Sequence, residues 1–403
     1  MALAICFALL TAEAQAQGVS LSPSCRSNFD LSADSCKNEQ SALQATAREI
    51  WGSDVAKNHP ALVDYRVCKS FESCFAQDCA KTADQSDFKN ASRPFVMYSQ
   101  IQPAKGSVVL THGLTDSPYS MGQIAENLRK HGYNVVSILL SNHGADHKDC
   151  DMSELQRWPS DVENGVALAH KLFGTNGKLC LGGYSTGGAL TVDYEQSHPG
   201  TEIACNLLFD PALAIPHPIE TRAEVDVGTA LIDVGFKKLQ VAKTPSGKPE
   251  NSANPARTPY CDSDGISIFQ TMSRVRKAAN LDSSRGRRID IPTFSVFSSG
   301  KSGIFTDPNA LTVDSAAGKK ALFGDGSPNT GIINVGDAIV HKDMNHLDVT
   351  IASGKNLGNC QVRERQQNGN PHLADDLNKM NQDMETWIGT ESTHSHAPAP
   401  LTE

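Results

Sequence analysis

The 403-residue chain carries 36 Lys and Arg against 45 Asp and Glu, a formal charge of −9, and 39% of it is hydrophobic. Such a length can bury a large core, and an acidic balance without a basic stripe argues against nucleic acid or an anionic membrane as the main partner. The basic cluster Ser284-Arg285-Gly286-Arg287-Arg288 reads as a solvated loop before a strand.

At the N-terminus a short apolar run, Leu3 to Leu10, leads to Ala14-Gln15-Ala16, a small-residue pattern suited to signal-peptide cleavage. Residues 1–17 are therefore expected to direct export, giving a secreted or periplasmic protein. The run is too short to span a bilayer, which needs roughly 20 apolar residues, and no integral membrane segment is predicted elsewhere. Of the 11 cysteines, Cys6 leaves with the peptide, and an even set of ten remains. In an exported chain that count favours disulfides. Cys74-x4-Cys79 is not a zinc spacing, and no CxxC or paired-His motif accompanies it. Residues 18–104 read as a cysteine-rich extension packed on the main body, its apolar content thin enough that covalent staples would replace a weak core.

From residue 105 the pattern changes. Ser107 to Leu110 is an apolar run expected of a parallel strand buried on both faces. Pro118 opens a helix with Met121, Ile124, Ala125 and Leu128 on one side. Tyr133 to Leu140 is the next strand. Ser160-Asp-Val-Glu163 has capping-box form, and Val162, Val166, Ala169 and Phe173 line the helix after it. Lys178 to Leu181, Ile203 to Phe209 and Pro292 to Phe297 complete the predicted strands. Strands alternating with helices predict an α/β fold with a doubly wound, mostly parallel sheet over residues 105–390. The stretch of about 212–290 is too long for a connection and reads as an inserted cap. A last amphipathic helix is expected from 373 to about 387, then a disordered tail over 391–403.

The chemical signal is Gly183-Tyr184-Ser185-Thr186-Gly187. A bare G-x-S-x-G is weak, but here it follows a buried strand and precedes a helix, the context that gives it meaning. A serine hydroxyl needs a base. Among 13 histidines, His346 in Asp343-Met-Asn-His-Leu-Asp348 is the best placed, after the last strand and before the C-terminal helix, with His341 the nearest competitor. His112-Gly113-Leu114 follows the first buried strand. The N–H groups of Leu114 and Thr186 are the expected oxyanion hole, and His112 is expected to be a structural hydrogen-bonder. There is no Walker loop and no H-E-x-x-H, so no cofactor or metal is predicted.

The segments Val108 to Met121, Asn142-His-Gly144, Trp158 to Asp161 and Gly183 to Gly187, with His346, stand in the order of bacterial carboxylesterases and monoacylglycerol-lipase-like serine hydrolases. The chain thus resembles the α/β-hydrolase superfamily over about 105–390. The resemblance implies a Ser–His–acid triad, an acyl-enzyme intermediate, a cap shaping the acyl pocket, and a small-molecule or lipid ester as substrate. A serine peptidase or a catalytically dead binding protein would use the same fold; oligomeric state is not read from the sequence. The family's acid position, shortly before Asp307, is occupied by Gly303. Two acids stay open: Asp307 after the fifth strand, and Asp210, which ends the fourth strand as in pancreatic-type lipases and is favoured.

Overall fold

The computed structural model describes residues 34–80, 93–114, 116–141, 143, 157–175, 177–198, 203–212, 291–296 and 373–391. These form a seven-stranded sheet in the order β1-β2-β4-β3-β5-β6-β7. The strands are β1 (Arg66–Cys68), β2 (Phe95–Met97), β3 (Gly106–Thr111), β4 (Tyr133–Ile138), β5 (Lys178–Tyr184), β6 (Ile203–Phe209) and β7 (Thr293–Val296). Every neighbouring pair is parallel except β2 against β4. The sheet is the mostly parallel one expected of an α/β-hydrolase.

Pleating sends successive side chains to opposite faces, and β3 shows the result. Val108 and Leu110 join one apolar cluster while Val109 joins the other. Helices α4 (Phe71–Ala80), α5 (Gly122–Lys130) and α8 (Leu373–Glu391) cover the first face. On the second lie α1 (Asp34–Trp51), the short α2 (Ser53–Asn58) and α3 (Pro60–Val63), α6 (Trp158–Phe173) and α7 (Thr186–Ser197). Both faces are thus sealed, so β3 to β6 read as continuous apolar runs.

The segment before residue 105 does more than pack on this body: it supplies β1 and β2. Its apolar content is also not thin. Leu43, Trp51, Leu62, Val63, Tyr65, Phe71 and Phe75 are all buried, and each large apolar side chain so placed contributes about 1.5–3 kcal/mol. Phe75 stacks edge-on against Phe95 and Tyr119, at 5.6 and 5.0 Å between centroids. The Glu126 carboxylate, buried on α5, accepts the Phe71 N–H at 3.1 Å and pairs with Arg129 at 2.7 Å. A negative charge at the N-terminus of α4 is the favourable sign for that helix's dipole.

Two disulfides are described. Cys68–Cys74 ties β1 to α4, and Cys180–Cys205 joins β5 to β6 at a register pair. Cys36 is disulfide-bonded as well. The capping-box reading at Ser160 is corrected: α6 begins two residues earlier at Trp158, with Pro159 in its first turn and no side-chain cap. The signal-peptide segment 1–17, cap residues 213–290 and the tail from 392 lie outside the described residues. No described helix is long and apolar enough to cross a membrane.

Candidate active site

Ser185 lies between the end of β5 and the first residue of α7, with φ 52° and ψ −117°. A non-glycine residue rarely holds such angles, which cost on the order of 1–3 kcal/mol and persist only where surroundings over-determine them. Here three backbone hydrogen bonds do so. The Ser185 N–H donates to Phe209 O at 3.0 Å, and Ser185 O accepts from Ala189 N at 3.1 Å and Ala212 N at 2.8 Å. The flanking glycines are required by contact. A Cβ on Gly183 would stand 2.2 Å from the Gly187 carbonyl carbon, and one on Gly187 would stand 2.1 Å from Thr111 O.

On the β6 side, Tyr184 pairs with Phe209, so Asp210 lies beside Ser185 one step past the paired strand ends. Adjacent strands are about 5 Å apart. Asp210 is fully buried, its φ is 46°, and its N–H donates to Val296 O at 2.7 Å.

On the β3 side, the loop carrying Leu114 closes against the serine. A Cβ on Gly113 would come within 3.1 Å of Ser185 Cβ. His112 is fully buried, and its Nε2 accepts the Leu140 N–H at 3.1 Å. Nδ1 therefore carries the proton and donates to Gly113 O at 2.8 Å. Burial first, and then neighbouring His143, hold His112 well below 6.5, which keeps this neutral tautomer. His143 is likewise buried and lowered to about 4 by desolvation. Its ring packs at 4.9 Å from that of His112 and 5.5 Å from that of Trp158.

Ser185, Thr186, Asp210 and the Leu114 loop thus converge at the C-terminal ends of β3, β5 and β6, where open α/β sheets bind ligands. Thr186 is buried as the first residue of α7, a helix end whose N–H groups lack intrahelical partners and favour negative charge. His346 and Asp307 lie outside the described residues. Sequence reasoning gave Trp158 and Asp161 no function of their own. Both reach Ser141 beside the His112–His143 pair: Trp158 Nε1–H donates to Ser141 O at 3.0 Å, and Asp161 Oδ2 accepts the Ser141 N–H at 2.8 Å.

A mostly parallel sheet, a strained serine on the β5–α7 turn and a glycine-backed loop after β3 define an α/β-hydrolase. The chain belongs to the hydrolase family described as serine aminopeptidase, S33, whose profile matches residues 102–309. It is 28% identical over 175 residues to the thermostable monoacylglycerol lipase of Bacillus sp. (strain H-257), a match covering 41% of this chain and 65% of that lipase. Among solved structures, it is similar to a soluble variant of monoglyceride lipase from Saccharomyces cerevisiae in complex with a substrate analog. There the TM-score is 0.51 and identity 14%, over 75% of this chain and 92% of that one, a likeness of fold.

Proposed function

We propose that this chain is a serine hydrolase that cleaves carboxylic esters through an acyl-enzyme intermediate. The observation that carries the reading is the backbone of Ser185, held at φ 52° between β5 and α7 against the Leu114 loop. Strain of this kind aims the hydroxyl out of the turn.

In the proposed reaction His346 removes the Ser185 proton as Oγ attacks the ester carbonyl. The N–H groups of Leu114 and Thr186 receive the developing oxyanion. The imidazolium then protonates the departing alcohol, and water repeats the sequence on the acyl-enzyme. Asp210 holds the imidazole tautomer and stabilises its cation, with Asp307 as the alternative acid. A lipid or small-molecule ester is favoured as substrate by the likeness to the Bacillus monoacylglycerol lipase. Export to the periplasm or medium is supported by segment 1–17 and is compatible with the disulfides.

The test is turnover of a p-nitrophenyl ester together with fluorophosphonate labelling, in the wild type and in Ser185→Ala. Both signals should vanish in the variant. Labelling that survives in Ser185→Ala overturns the reading. The family's description favours a second reading, peptide cleavage by the same residues; faster turnover of an amino-acid p-nitroanilide than of any ester would establish that one instead.

A further inference from the structure

We propose that Trp158 and Asp161, in the first turn of α6, are positioning residues that aim the Leu114 N–H at the developing oxyanion. The inference rests on the Ser185 reading above and adds to it a part for the first turn of a helix on the same face of the sheet as the serine's own helix.

The argument follows a line of hydrogen bonds. Trp158 Nε1–H donates to Ser141 O at 3.0 Å, and Asp161 Oδ2 accepts the Ser141 N–H at 2.8 Å, so both backbone polar groups of Ser141 are held by α6. The preceding residue is fixed with it, and the Leu140 N–H donates to His112 Nε2 at 3.1 Å. His112 then donates through Nδ1 to Gly113 O at 2.8 Å. The Asp116 N–H reaches the same oxygen at 3.2 Å. That carbonyl belongs to the peptide whose N–H is Leu114's. A trans peptide is planar, with its N–H opposed to its C=O. Fixing Gly113 O from two sides therefore fixes where the Leu114 N–H points.

The line is dry. Ser141 and His112 are fully buried, Trp158 and Asp161 are 1% exposed, and the His143 ring fills the gap between His112 and Trp158. In such surroundings hydrogen bonds are stronger than in water, and aim matters most where a donor meets charge in the transition state.

The experiment uses the full chain with its disulfides intact and compares Trp158→Phe, Asp161→Ala and Asp161→Asn. Phe keeps the ring and loses the donor; Asn keeps an acceptor for Ser141; Ala removes it. Trp158→Phe and Asp161→Ala should lower kcat roughly tenfold, against about 10²–10³ for loss of an oxyanion donor itself. KM should move by less than about twofold. A trifluoromethyl ketone, which forms an anionic adduct on Ser185, should lose affinity in step with kcat, while the alcohol product should not. Asp161→Asn should restore most of kcat. A folded Trp158→Phe with wild-type kcat overturns the inference, as does equal weakening of ketone and alcohol. Should Asp161→Ala not fold, Trp158→Phe and Asp161→Asn decide. If the wild type shows no Ser185-dependent turnover, the function reading itself fails, an outcome distinct from active variants with unchanged kcat.

Discussion

Ser185 and Asp210 leave adjacent strands side by side, each one residue past the Tyr184–Phe209 pair and each through a positive φ, 52° and 46°. They are the two non-glycine residues with positive φ among the described residues. Two such backbones on neighbouring strand ends, stitched by Ser185 N to Phe209 O and Ala212 N to Ser185 O, make one unit of serine turn and carboxylate turn.

If that unit is catalytic, Asp210→Asn should lower kcat by about 10⁴, the loss expected when the imidazole adopts the wrong tautomer. Asp307→Asn should leave kcat near the wild-type value. Steady-state kinetics on one ester decides between them: an active Asp210→Asn enzyme moves the acid to the other position.

Gly187→Ala tests the close approach behind the turn. Its Cβ would meet Thr111 O at 2.1 Å, backbone that cannot swing aside. The strand end and helix start must separate, at about 1–3 kcal/mol. Thermal unfolding should begin several degrees lower and turnover should fall with it. A variant with unchanged melting and rate would show that the turn is softer than its contacts suggest.

The bridge between β5 and β6 closes a 25-residue separation. By loop-closure entropy its loss should cost roughly 3 kcal/mol. Cys180→Ala with Cys205→Ala should therefore melt several degrees below the parent. Because the bonded sulfurs are buried on the sheet, the parent's melting should resist a mild reductant until the chain begins to open.

The paired rings of His112 and His143 make a prediction about acid. In the unfolded chain a histidine takes its proton near pH 6.5, while folded His143 does so only at about 4 and His112 is also well lowered. Between those values the unfolded state holds more protons, so stability rises with pH across the window and is lost as pH falls through it. The His143 shift alone corresponds to roughly 3 kcal/mol. Denaturant midpoints measured from pH 7 to 4 should fall, and His143→Gln should flatten the slope. An unchanged slope would mean that the ring is hydrated in solution.

Much of the core was readable because burial on both faces writes itself as apolar runs: β3 to β7 lie within a few residues of Ser107–Leu110, Tyr133–Leu140, Lys178–Leu181, Ile203–Phe209 and Pro292–Phe297. The turn at Ser185 was readable for a steric reason, since only glycine fits at 183 and 187. Strands β1 and β2 were not, because three residues each carry no usable period. The start of α6 was misread because Ser160-x-x-Glu163 imitates a cap. Asp161, beside it, does accept a backbone N–H, but that of Ser141 rather than of its own helix. Such a bond crosses 20 positions and is set by tertiary packing, as is the pairing of Cys180 with Cys205.

The antiparallel seam between β2 and β4 has a consequence for how the chain is made. Growth proceeds from the N-terminus, so Phe95–Met97 emerges well before Tyr133–Ile138, the strand it must meet. Until then β1 and β2 lack the strand they pair with, and a fragment started near residue 105 would bare the outer flank of β4 to any passing strand. What looks like an appendix in the linear order is the hem that keeps the sheet from fraying.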